Sequence, residues 1–318
     1  MYNQKYIPLS VVIPTYNRKK ILVRTIESLL MGEYIPDEII VVDQSEVILD
    51  AKQDSRWDKV VKIFKVDIVS LTAARNVGVR KANNDIILFC DDDIEINEVT
   101  IKYLYEEMKK EDVSLISAVN SDDNAVYDYK EKEYRKLRNI AGYICGTRLP
   151  ARKGGYIIGW SMKGHYSENM MKAHTTEWAY GFFFCVKKSL MEKWNVWFDE
   201  NLIKYAFAED MDFSCRYCRC SKEERLKTFV EPKLYVHHLV SKEWRMPQEE
   251  AILYGFLNRW YLSYKLFPKH WWYRIGMVWS DIWYTILVCR KRERYYSFKS
   301  MIRTYTKLKK LKHGIIER

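Results

Sequence analysis

Three adjacent carboxylates, Asp91-Asp92-Asp93, are the side chains of this sequence that most clearly suggest chemistry. They follow a short apolar segment, Ile86 to Cys90, whose β-branched and aromatic residues predict a buried strand of a parallel sheet. In open α/β sheets, ligands bind beyond the carboxyl ends of the strands. Because three like charges repel one another, a Mn²⁺ or Mg²⁺ ion shared with a polyphosphate would stabilise them. The triplet is therefore either a divalent-cation site or a solvated acidic loop that caps the next helix.

A second acidic pair, Glu209-Asp210, stands at the start of a predicted helix. Carboxylates in the first turn of a helix interact favourably with the helix dipole, so a capping role is one interpretation. A carboxylate that faces a cleft can instead act as a general base for an incoming hydroxyl group. The residues alone leave both interpretations open.

Histidine and cysteine residues further along the chain offer other ligands for a metal ion. His237 and His238 end a short predicted strand, where a histidine is usually packed or hydrogen-bonded, although a neutral imidazole also binds Mn²⁺. The spacing of Cys215, Cys218 and Cys220 allows zinc binding, but no fourth ligand is evident. The seven cysteines show no disulfide framework and no signal peptide is visible, which favours a reducing compartment.

The elements that would position these residues alternate between strands and helices. Apolar strands are predicted at 9–13, 38–42, 60–66 and 86–90. Apolar residues at helical spacing between Lys19 and Leu30 predict a connecting helix. The alternation predicts an α/β fold with a mostly parallel, Rossmann-like sheet, flanked by helices and joined by right-handed crossovers. Asp43 and Asp91 both follow strands, so we expect both to face one crevice.

Two common phosphate-binding strings, Gly-x-Gly-x-x-Gly and Gly-x-x-x-x-Gly-Lys-Ser/Thr, are absent from the chain. Their absence removes the main support for an ordinary dinucleotide-binding fold and for a P-loop NTPase. Without a glycine-rich cradle, a bound diphosphate would depend on a metal ion and on side chains. This expectation agrees with the acidic triplet.

The residues from Asn120 to Lys172 are polar and rich in turn-forming residues, which predicts mobile loops. A long irregular insertion in a compact enzyme often serves as a lid or an acceptor-recognition loop. A solvated loop without such a role is the alternative, because nothing in the composition excludes it.

Residues 241–318 differ in composition from the rest of the chain. They contain 17 Lys and Arg against 6 Asp and Glu, a surplus that equals the formal net charge of +11 of the whole chain. Between Trp271 and Cys289 the sequence is mostly apolar at helical spacing, but Arg274 and Asp281 interrupt it, which favours an interfacial helix over a spanning one. With its flanking basic residues, this helical tail is predicted to attach to an anionic membrane surface; packing against the rest of the chain is the alternative.

Five short strings together resemble the family 2 glycosyltransferases of the GT-A fold, which are nucleotide-sugar-dependent enzymes. The likeness covers residues 8–240, and the strings follow one another in the order of that family. They are VVIPTYNR at 11–18, IVVDQS at 40–45, ARNVG at 74–78, the Asp91-Asp92-Asp93 form of the DxD motif, and AEDMDF at 208–213.

For the donor, the resemblance implies that Thr15 and Asp43 hold the base of the nucleotide. Arg75, Asp91 and Asp92 would lie at the nucleotide and its diphosphate. Asp91 would also pair with Asp93 to bind Mn²⁺ or Mg²⁺, which in the family neutralises the leaving diphosphate.

For the acceptor, the resemblance implies that Asp210 is the catalytic base in a single inverting displacement at the anomeric carbon. Glu209 would position the start of the helix or touch the acceptor. Either His237 or His238 would complete the metal or diphosphate site, and the sequence does not distinguish between them.

The resulting hypothesis is a non-processive, inverting glycosyltransferase that moves a sugar from a UDP- or dTDP-sugar to a hydroxyl group of a glycan or lipid-linked acceptor. Bacterial surface polysaccharide synthesis, at the inner face of the cell membrane, is the expected setting. Residues 1–118 would bind the nucleotide sugar, 119–240 would supply the acceptor site and the base, and 241–318 would be the tail. The Gln-x-x-Arg-Trp string of processive synthases is absent, because Phe256 stands where the Gln would be.

Two rival functions have less support. Sugar nucleotidyltransferases resemble one another in a glycine-rich basic loop after the first strand, whereas this chain has Pro14-Thr15-Tyr16-Asn17 there. A nucleic-acid-binding role would use the basic tail, but the tail lacks a recognisable binding module and its tryptophans follow helical spacing. No nucleic-acid partner is therefore predicted.

Overall fold

The structure, a computed structural model, describes residues 4–48, 57–120, 140–149, 153–167, 170–203, 207–240, 246–289 and 291–316. The chain divides into two compact units. The sheet unit comprises Met1–Asn124, Glu168–Glu200 and Glu209–Arg245. The helical unit comprises Ala125–Ser167, Asn201–Ala208 and Met246–Arg318.

Strands and helices are numbered here in chain order within the described residues. The strands are β1 Lys5–Thr15, β2 Tyr34–Asp43, β3 Val61–Lys65, β4 Ile86–Cys90, β5 Ile94–Ile96, β6 Val113–Asn120, β7 Gly155–Ile158, β8 Lys163–Tyr166, β9 His174–Thr175, β10 Phe183–Lys187 and β11 Lys227–His238. The helices are α1 Lys19–Leu29, α2 Leu71–Lys81, α3 Thr100–Met108, α4 Lys188–Lys193, α5 Glu209–Glu223, α6 Gln248–Leu266, α7 Trp271–Leu287, α8 Lys291–Tyr305 and α9 Leu308–Lys312, and residues 140–144 are also helical.

The sheet unit contains one large sheet with the strand order β3-β2-β1-β4-β10-β6-β11-β5, and β9 pairs with β11. Strands β3, β2, β1 and β4 are parallel to one another, and β6 is parallel to β11. Strand β10 is antiparallel to both of its neighbours, β4 and β6. The predicted α/β class with a mostly parallel sheet and flanking helices is confirmed, and the antiparallel insertion of β10 is an addition to it.

Helices cover both faces of this sheet, which explains why its central strands are apolar throughout rather than alternating. Val11 and Ile13 of β1 point to the face that α1 and α3 cover, whereas Val12 points to the face that α2 and α5 cover. Helix α2 approaches β1 so closely that a Cβ at Gly78 would lie 2.3 Å from Cγ1 of Val12. Glycine is therefore required at that position by packing.

Two predicted segments differ from the structure. The helix expected between Asn97 and Lys110 is shorter, as α3 Thr100–Met108. The prediction of irregular loops throughout Asn120–Lys172 is wrong at 155–166, where β7 and β8 form an antiparallel pair. The cause is the apolar run Tyr156-Ile157-Ile158, whose side chains are all buried. Residues 121–139, part of the same predicted segment, lie outside the described residues.

The helical unit is built around α6, which buries eleven of its side chains. Arg259 of α6 forms an ion pair of 3.0 Å with Asp281 of α7, and both side chains are buried. Arg274, the other charge that interrupts the apolar run, lies 4.3 Å from the centre of the Tyr264 ring on α6. Both charges therefore lie on packed parts of α7. The helical C-terminal extension predicted from the sequence is confirmed, since α6, α7 and α8 lie in it.

The opposite side of α7 and part of α8 are apolar and exposed. Ten large side chains of the two helices, each at least 39% exposed, are Trp271, Trp272, Ile275, Trp279, Ile282, Ile286, Leu287, Tyr295, Phe298 and Ile302. No helix among the described residues is long and apolar enough to cross a membrane.

Candidate active site

The carboxyl ends of β1, β2 and β4 form the edge of the sheet at which the predicted donor residues lie. Thr15 ends β1 and Asp43 ends β2, and the two are partners in the parallel register. Asp91 follows β4, and its backbone N–H donates to the carbonyl of Phe182 at 2.9 Å. Because β10 is antiparallel, the residues that precede it reach the same edge as the ends of the parallel strands.

Asp91, Asp93 and His238 form a cluster in which each residue offers one ligand atom, and these atoms lie within 4.8 Å of one another. His238 reaches the cluster because β11 pairs with β5, directly after the acidic triplet. Its ring stacks on Phe182, with 5.1 Å between the ring centres, which fixes the plane of the imidazole. The sequence left the choice between the two histidines open, and in this structure His238, rather than His237, joins the acids.

The cluster fits a divalent cation in its chemistry and in its spacing. Nε2 of His238 lies 3.1 Å from Oδ1 of Asp93. Neighbouring ligands of an octahedral ion with bonds of about 2.1 Å lie about 3 Å apart, so these two atoms can bind one ion side by side. Two carboxylates and one imidazole are suitable donors for Mn²⁺. Within the described part of the chain, no other group of three such side chains is as close, and the cysteines of α5 form none.

Asp92, the middle acid, points away from this cluster into the protein. Its Oδ2 accepts a hydrogen bond from Thr15 at 2.7 Å, and its Oδ1 accepts one from Arg18 at 2.6 Å. Burial raises the pKa of Asp92 to about 7, against the opposing effect of the Arg18 charge. The predicted nucleotide contact of Asp92 stays a prediction, and the contacts seen here tie the end of β1 to the acidic triplet.

Arg75 is buried and links the acidic triplet to the start of α5. One terminal nitrogen donates to Oε1 of Glu209 at 2.7 Å, and the other donates to Oδ1 of Asp91 at 3.0 Å. That second nitrogen also donates to the carbonyl of Gly181 at 2.9 Å. The predicted position of Arg75 near the diphosphate stays a prediction, and the observed contacts make it a bridge between two groups of acids.

Asp210 lies beside this bridge with its carboxylate held by backbone groups. Oδ2 accepts a hydrogen bond from the N–H of Gly181 at 2.9 Å, and Oδ1 accepts one from the N–H of Met211 at 2.7 Å. The side chain is half-buried, whereas Glu209 is buried. Two backbone N–H groups thus orient Asp210, and no ion pair recorded among the described residues involves it. Its carboxylate can therefore accept a proton.

The pKa shifts of Glu209 and Asp210 agree with these two different environments. Burial raises the pKa of Glu209, and the neighbouring Asp210 raises it further, while Arg75 opposes both effects. Burial also raises the pKa of Asp210, and its two backbone hydrogen bonds lower it. A carboxylate whose pKa is raised is a stronger base, which is the property that proton abstraction requires.

Thr15 and Asp43 lie side by side, and Oδ1 of Asp43 accepts a hydrogen bond from the N–H of Ser45 at 2.9 Å; their contact with a nucleotide base stays a prediction. All seven cysteines are free, as expected from their spacing. The sequence analysis did not identify Arg18 as a site residue. The only signal for it was its place in the string at 11–18, which also contains Thr15.

Comparison with known proteins places these observations in a family. Residues 10–194, more than half of the chain, match the model of glycosyl transferase family 2. The uncharacterized glycosyltransferase EpsJ of Bacillus subtilis (strain 168) is 26% identical over 240 residues, which are 73% of this chain and 61% of EpsJ. The chain thus spans less than two thirds of that relative.

Solved structures share the fold at low sequence identity. A structure of GalNAc-T7 with UDP, GalNAc and Mn²⁺ matches with a TM-score of 0.55 and 16% identity, over 95% of this chain and 58% of that one. The mannosyltransferase PcManGT of Pyrobaculum calidifontis, solved with GDP-Man and Mn²⁺, matches with a TM-score of 0.50 and 12% identity, over 96% and 85%. Both support the GT-A type of fold, and the family match shows that this chain belongs to glycosyl transferase family 2.

Proposed function

We propose that this chain is a non-processive, inverting glycosyltransferase that moves a sugar from a nucleoside-diphosphate donor to a hydroxyl group of a glycan or lipid-linked acceptor. The observation that carries the proposal is a continuous set of contacts. It runs from the Asp91, Asp93 and His238 cluster through Arg75 to Glu209, and from Arg75 through Gly181 to Asp210. A cation site and a base held at one edge of a sheet suit the departure of a diphosphate and the arrival of a hydroxyl group.

In the proposed donor site, Thr15 and Asp43 hold the base of the nucleotide. Asp91, Asp93 and His238 hold the divalent cation, which when bound stabilises the negative charge of the leaving diphosphate. The imidazole of His238 favours Mn²⁺ over Mg²⁺, because Mg²⁺ prefers oxygen ligands alone. Mn²⁺ in both solved neighbours supports the same choice.

In the proposed reaction, the Asp210 carboxylate accepts the proton of the acceptor hydroxyl group as its oxygen bonds to the anomeric carbon. The bond from that carbon to the diphosphate breaks in the same step, and its electron pair leaves with the diphosphate. Glu209 stays paired with Arg75 and so keeps the start of α5 in place. One displacement inverts the configuration of the sugar.

The donor is proposed to be a UDP- or dTDP-sugar, and the process to be bacterial surface polysaccharide synthesis. The UDP in the GalNAc-T7 structure supports a pyrimidine donor, whereas the GDP-Man of PcManGT is the alternative that an assay must separate. The absence of the Gln-x-x-Arg-Trp string supports transfer of one sugar per encounter.

A panel of UDP-, dTDP- and GDP-sugars, incubated with the full chain and Mn²⁺, tests the proposal through release of the nucleoside diphosphate. We expect the wild type to hydrolyse one of these donors slowly in the absence of an acceptor. We expect Asp93→Ala to release no nucleoside diphosphate from that donor. Asp85→Ala is the matched control, because Asp85 is an exposed acid just before the other end of β4. Release by Asp93→Ala at the wild-type rate in the presence of a chelator would refute the metal role.

We further propose that the chain lies at the cytoplasmic face of the cell membrane, attached through the exposed apolar side chains of α7 and α8. The location of Arg274 and Asp281 on packed parts of α7 supports this, because the outward side of the helix is then free of charge. Lys291, Arg292 and Arg294 at the start of α8 would add attraction to anionic lipid, of about 1 kcal/mol for each residue near the surface.

Flotation with liposomes tests the attachment. We expect the full chain to float with anionic vesicles, to float less as salt rises, and to lose most of its binding in Trp271→Ser and Phe298→Ser. Met31→Ser, an exposed apolar residue of the sheet unit, is the control and should float like the wild type. A wild-type protein that stays at the bottom with every lipid composition would contradict the attachment.

A further inference from the structure

Arg18 contacts two of the three acids that follow β4. Its Nη1 lies 2.6 Å from Oδ1 of Asp92, and its Nη2 lies 2.8 Å from Oδ2 of Asp93. The three side chains are largely buried, with Arg18 at 18%, Asp92 at 4% and Asp93 at 3% exposure. A planar guanidinium with two parallel donors is suited to hold two carboxylates in fixed orientations.

The backbone aims Arg18 at the triplet. Asn17 adopts a left-handed conformation with φ +55°, which asparagine tolerates better than most residues, and its N–H donates to Oγ of Ser45 at 2.7 Å. Helix α1 then begins at Lys19. On the same helix, the hydroxyl of Thr25 contacts the carbonyls of Asp92 and Ile94 at 2.8 and 3.0 Å. Helix α1 therefore holds both the guanidinium and the backbone of the loop that it contacts.

The contacts of Asp93 separate its two oxygens. Oδ2 accepts a hydrogen bond from Arg18, while Oδ1 faces Nε2 of His238 within the cation cluster. A carboxylate that is free to rotate would offer either oxygen, or both, to a cation. With Oδ2 occupied by a guanidinium, Oδ1 is the oxygen that remains for the ion.

From these contacts we propose that Arg18 is a positioning residue for the divalent cation. It turns Asp93 so that Oδ1 is presented beside His238, and it balances the charge of Asp92 so that the three acids remain close together. The inference rests on the cation site of the proposed function, but it concerns the binding of the cation alone.

The direction of the effect distinguishes positioning from simple charge. Removing a positive charge next to a cation site strengthens cation binding by Coulomb's law, whatever the geometry. Removing a group that orients a ligand weakens binding, and loss of such a partner typically costs about 10- to 100-fold in metal affinity. The two effects have opposite signs, so a single binding measurement decides between them.

The test is a titration of the full chain with Mn²⁺ in the absence of nucleotide, with free Mn²⁺ measured by electron paramagnetic resonance. We expect Arg18→Gln to bind Mn²⁺ about 10- to 100-fold more weakly than the wild type. Arg18→Lys should recover part of the affinity, because a lysine supplies charge and one donor direction but cannot hold both acids in one plane. Arg24→Gln is the matched control and should bind like the wild type, since Arg24 pairs with Glu95 on the exposed surface.

Affinity of Arg18→Gln equal to or tighter than that of the wild type would overturn the proposal. Thermal melting of each variant shows whether it is folded; if the Gln variant is unfolded, Arg18→Lys decides, and wild-type affinity in that variant counts against positioning. If the wild type itself binds no Mn²⁺, the cation site of the proposed function fails, and this inference with it. If the wild type binds and Arg18→Gln binds equally well, only the role of Arg18 is lost.

Discussion

Two buried arginines form ion pairs with carboxylates: Arg75 in the sheet unit pairs with Asp91 and Glu209, and Arg259 in the helical unit pairs with Asp281. The arginine side chains are 1% and 8% exposed, so burial does not distinguish the two pairs. The carboxylates do differ, because Asp91 remains 30% exposed whereas Asp281 is 0% exposed. The network of Arg75, Asp91 and Glu209 opens to solvent at the edge of the sheet, and we call it the open network. The network of Arg259 and Asp281 is buried, and we call it the closed network.

The closed network is surrounded by the protein's own groups. Trp260 and Tyr305 donate to Oδ2 of Asp281 at 2.9 and 3.3 Å, and Arg259 also donates twice to the carbonyl of Ser161. Because the Asp281 side chain is 0% exposed, we assign this network to stability. Burial and charge alone therefore do not identify a site, whereas a buried network with one carboxylate open to solvent does.

The largest effect should come from the open network, with Asp210→Asn. The amide keeps the shape of the side chain but cannot take the acceptor's proton, so the transfer rate should fall by about 10² to 10⁴. Donor binding should change little. The melting temperature should fall slightly, because the two backbone N–H groups donate to different carboxylate oxygens and the amide offers an oxygen to only one of them. Single-turnover transfer and donor titration measure the two quantities, and transfer within a few-fold of the wild type would remove Asp210 from the role of base.

The closed network should give the opposite result with Arg259→Met. Loss of one partner leaves Asp281 charged in the interior, which typically costs about 3 to 5 kcal/mol of the free energy of unfolding. Transfer by the folded fraction should stay at the wild-type rate. Urea unfolding measures the loss. The double variant Arg259→Met, Asp281→Leu should recover part of it, because the unpaired charge is gone but the Trp260 and Tyr305 donors lose their acceptor. Unchanged stability in the single variant would mean that this pair contributes nothing.

A smaller effect should depend on pH through Lys163, which is half-buried in the helical unit. Burial, together with the charge of Arg259, lowers the pKa of Lys163 to about 7. Its amino group donates to the carbonyl of Cys145 and to Oγ of Ser280, at 3.3 and 3.1 Å. The other titratable or charged groups around it are Asp281, Cys145, Cys289 and the Tyr284 ring.

The sign follows from proton uptake. Between pH 7 and the ordinary lysine pKa of 10.5, the unfolded chain binds a proton at Lys163 that the folded chain does not, so stability rises with pH across this window. Lys163→Met removes that dependence and should melt higher than the wild type at pH 6, by a margin that shrinks towards pH 9. Lys299→Met, which removes an exposed lysine of the same unit, should keep the wild-type pH dependence. Equal margins at pH 6 and pH 9 would contradict a lowered pKa of Lys163 in the folded chain.

The sequence was sufficient for the features that depend on local pattern. Strand and helix periods placed Thr15, Asp43 and Asp91 at strand ends, and parallel strands necessarily bring such ends to one edge. The sequence also predicted a helix that starts at Glu209-Asp210, and α5 begins at Glu209.

Features that depend on pairing between distant segments were not predictable. The choice of His238 over His237 depends on the register of β11 against β5, which a single sequence does not specify. The contact of Arg18 with Asp92 spans 74 residues. Asp281 interrupts an apolar run in the sequence, yet its burial against α6 depends on the orientation of α7, which the run does not encode.

The position of His238 along the chain also has a consequence for biosynthesis. His238 lies 145 residues after Asp93, and Glu209 lies 134 residues after Arg75. Contacts between such distant residues close long loops, which makes them late events in folding. While only the first part of the sheet has left the ribosome, Asp91 and Asp93 are present without the imidazole of His238 and without the proposed base, Asp210. The cation cluster can be complete only after residue 238 has left the ribosome.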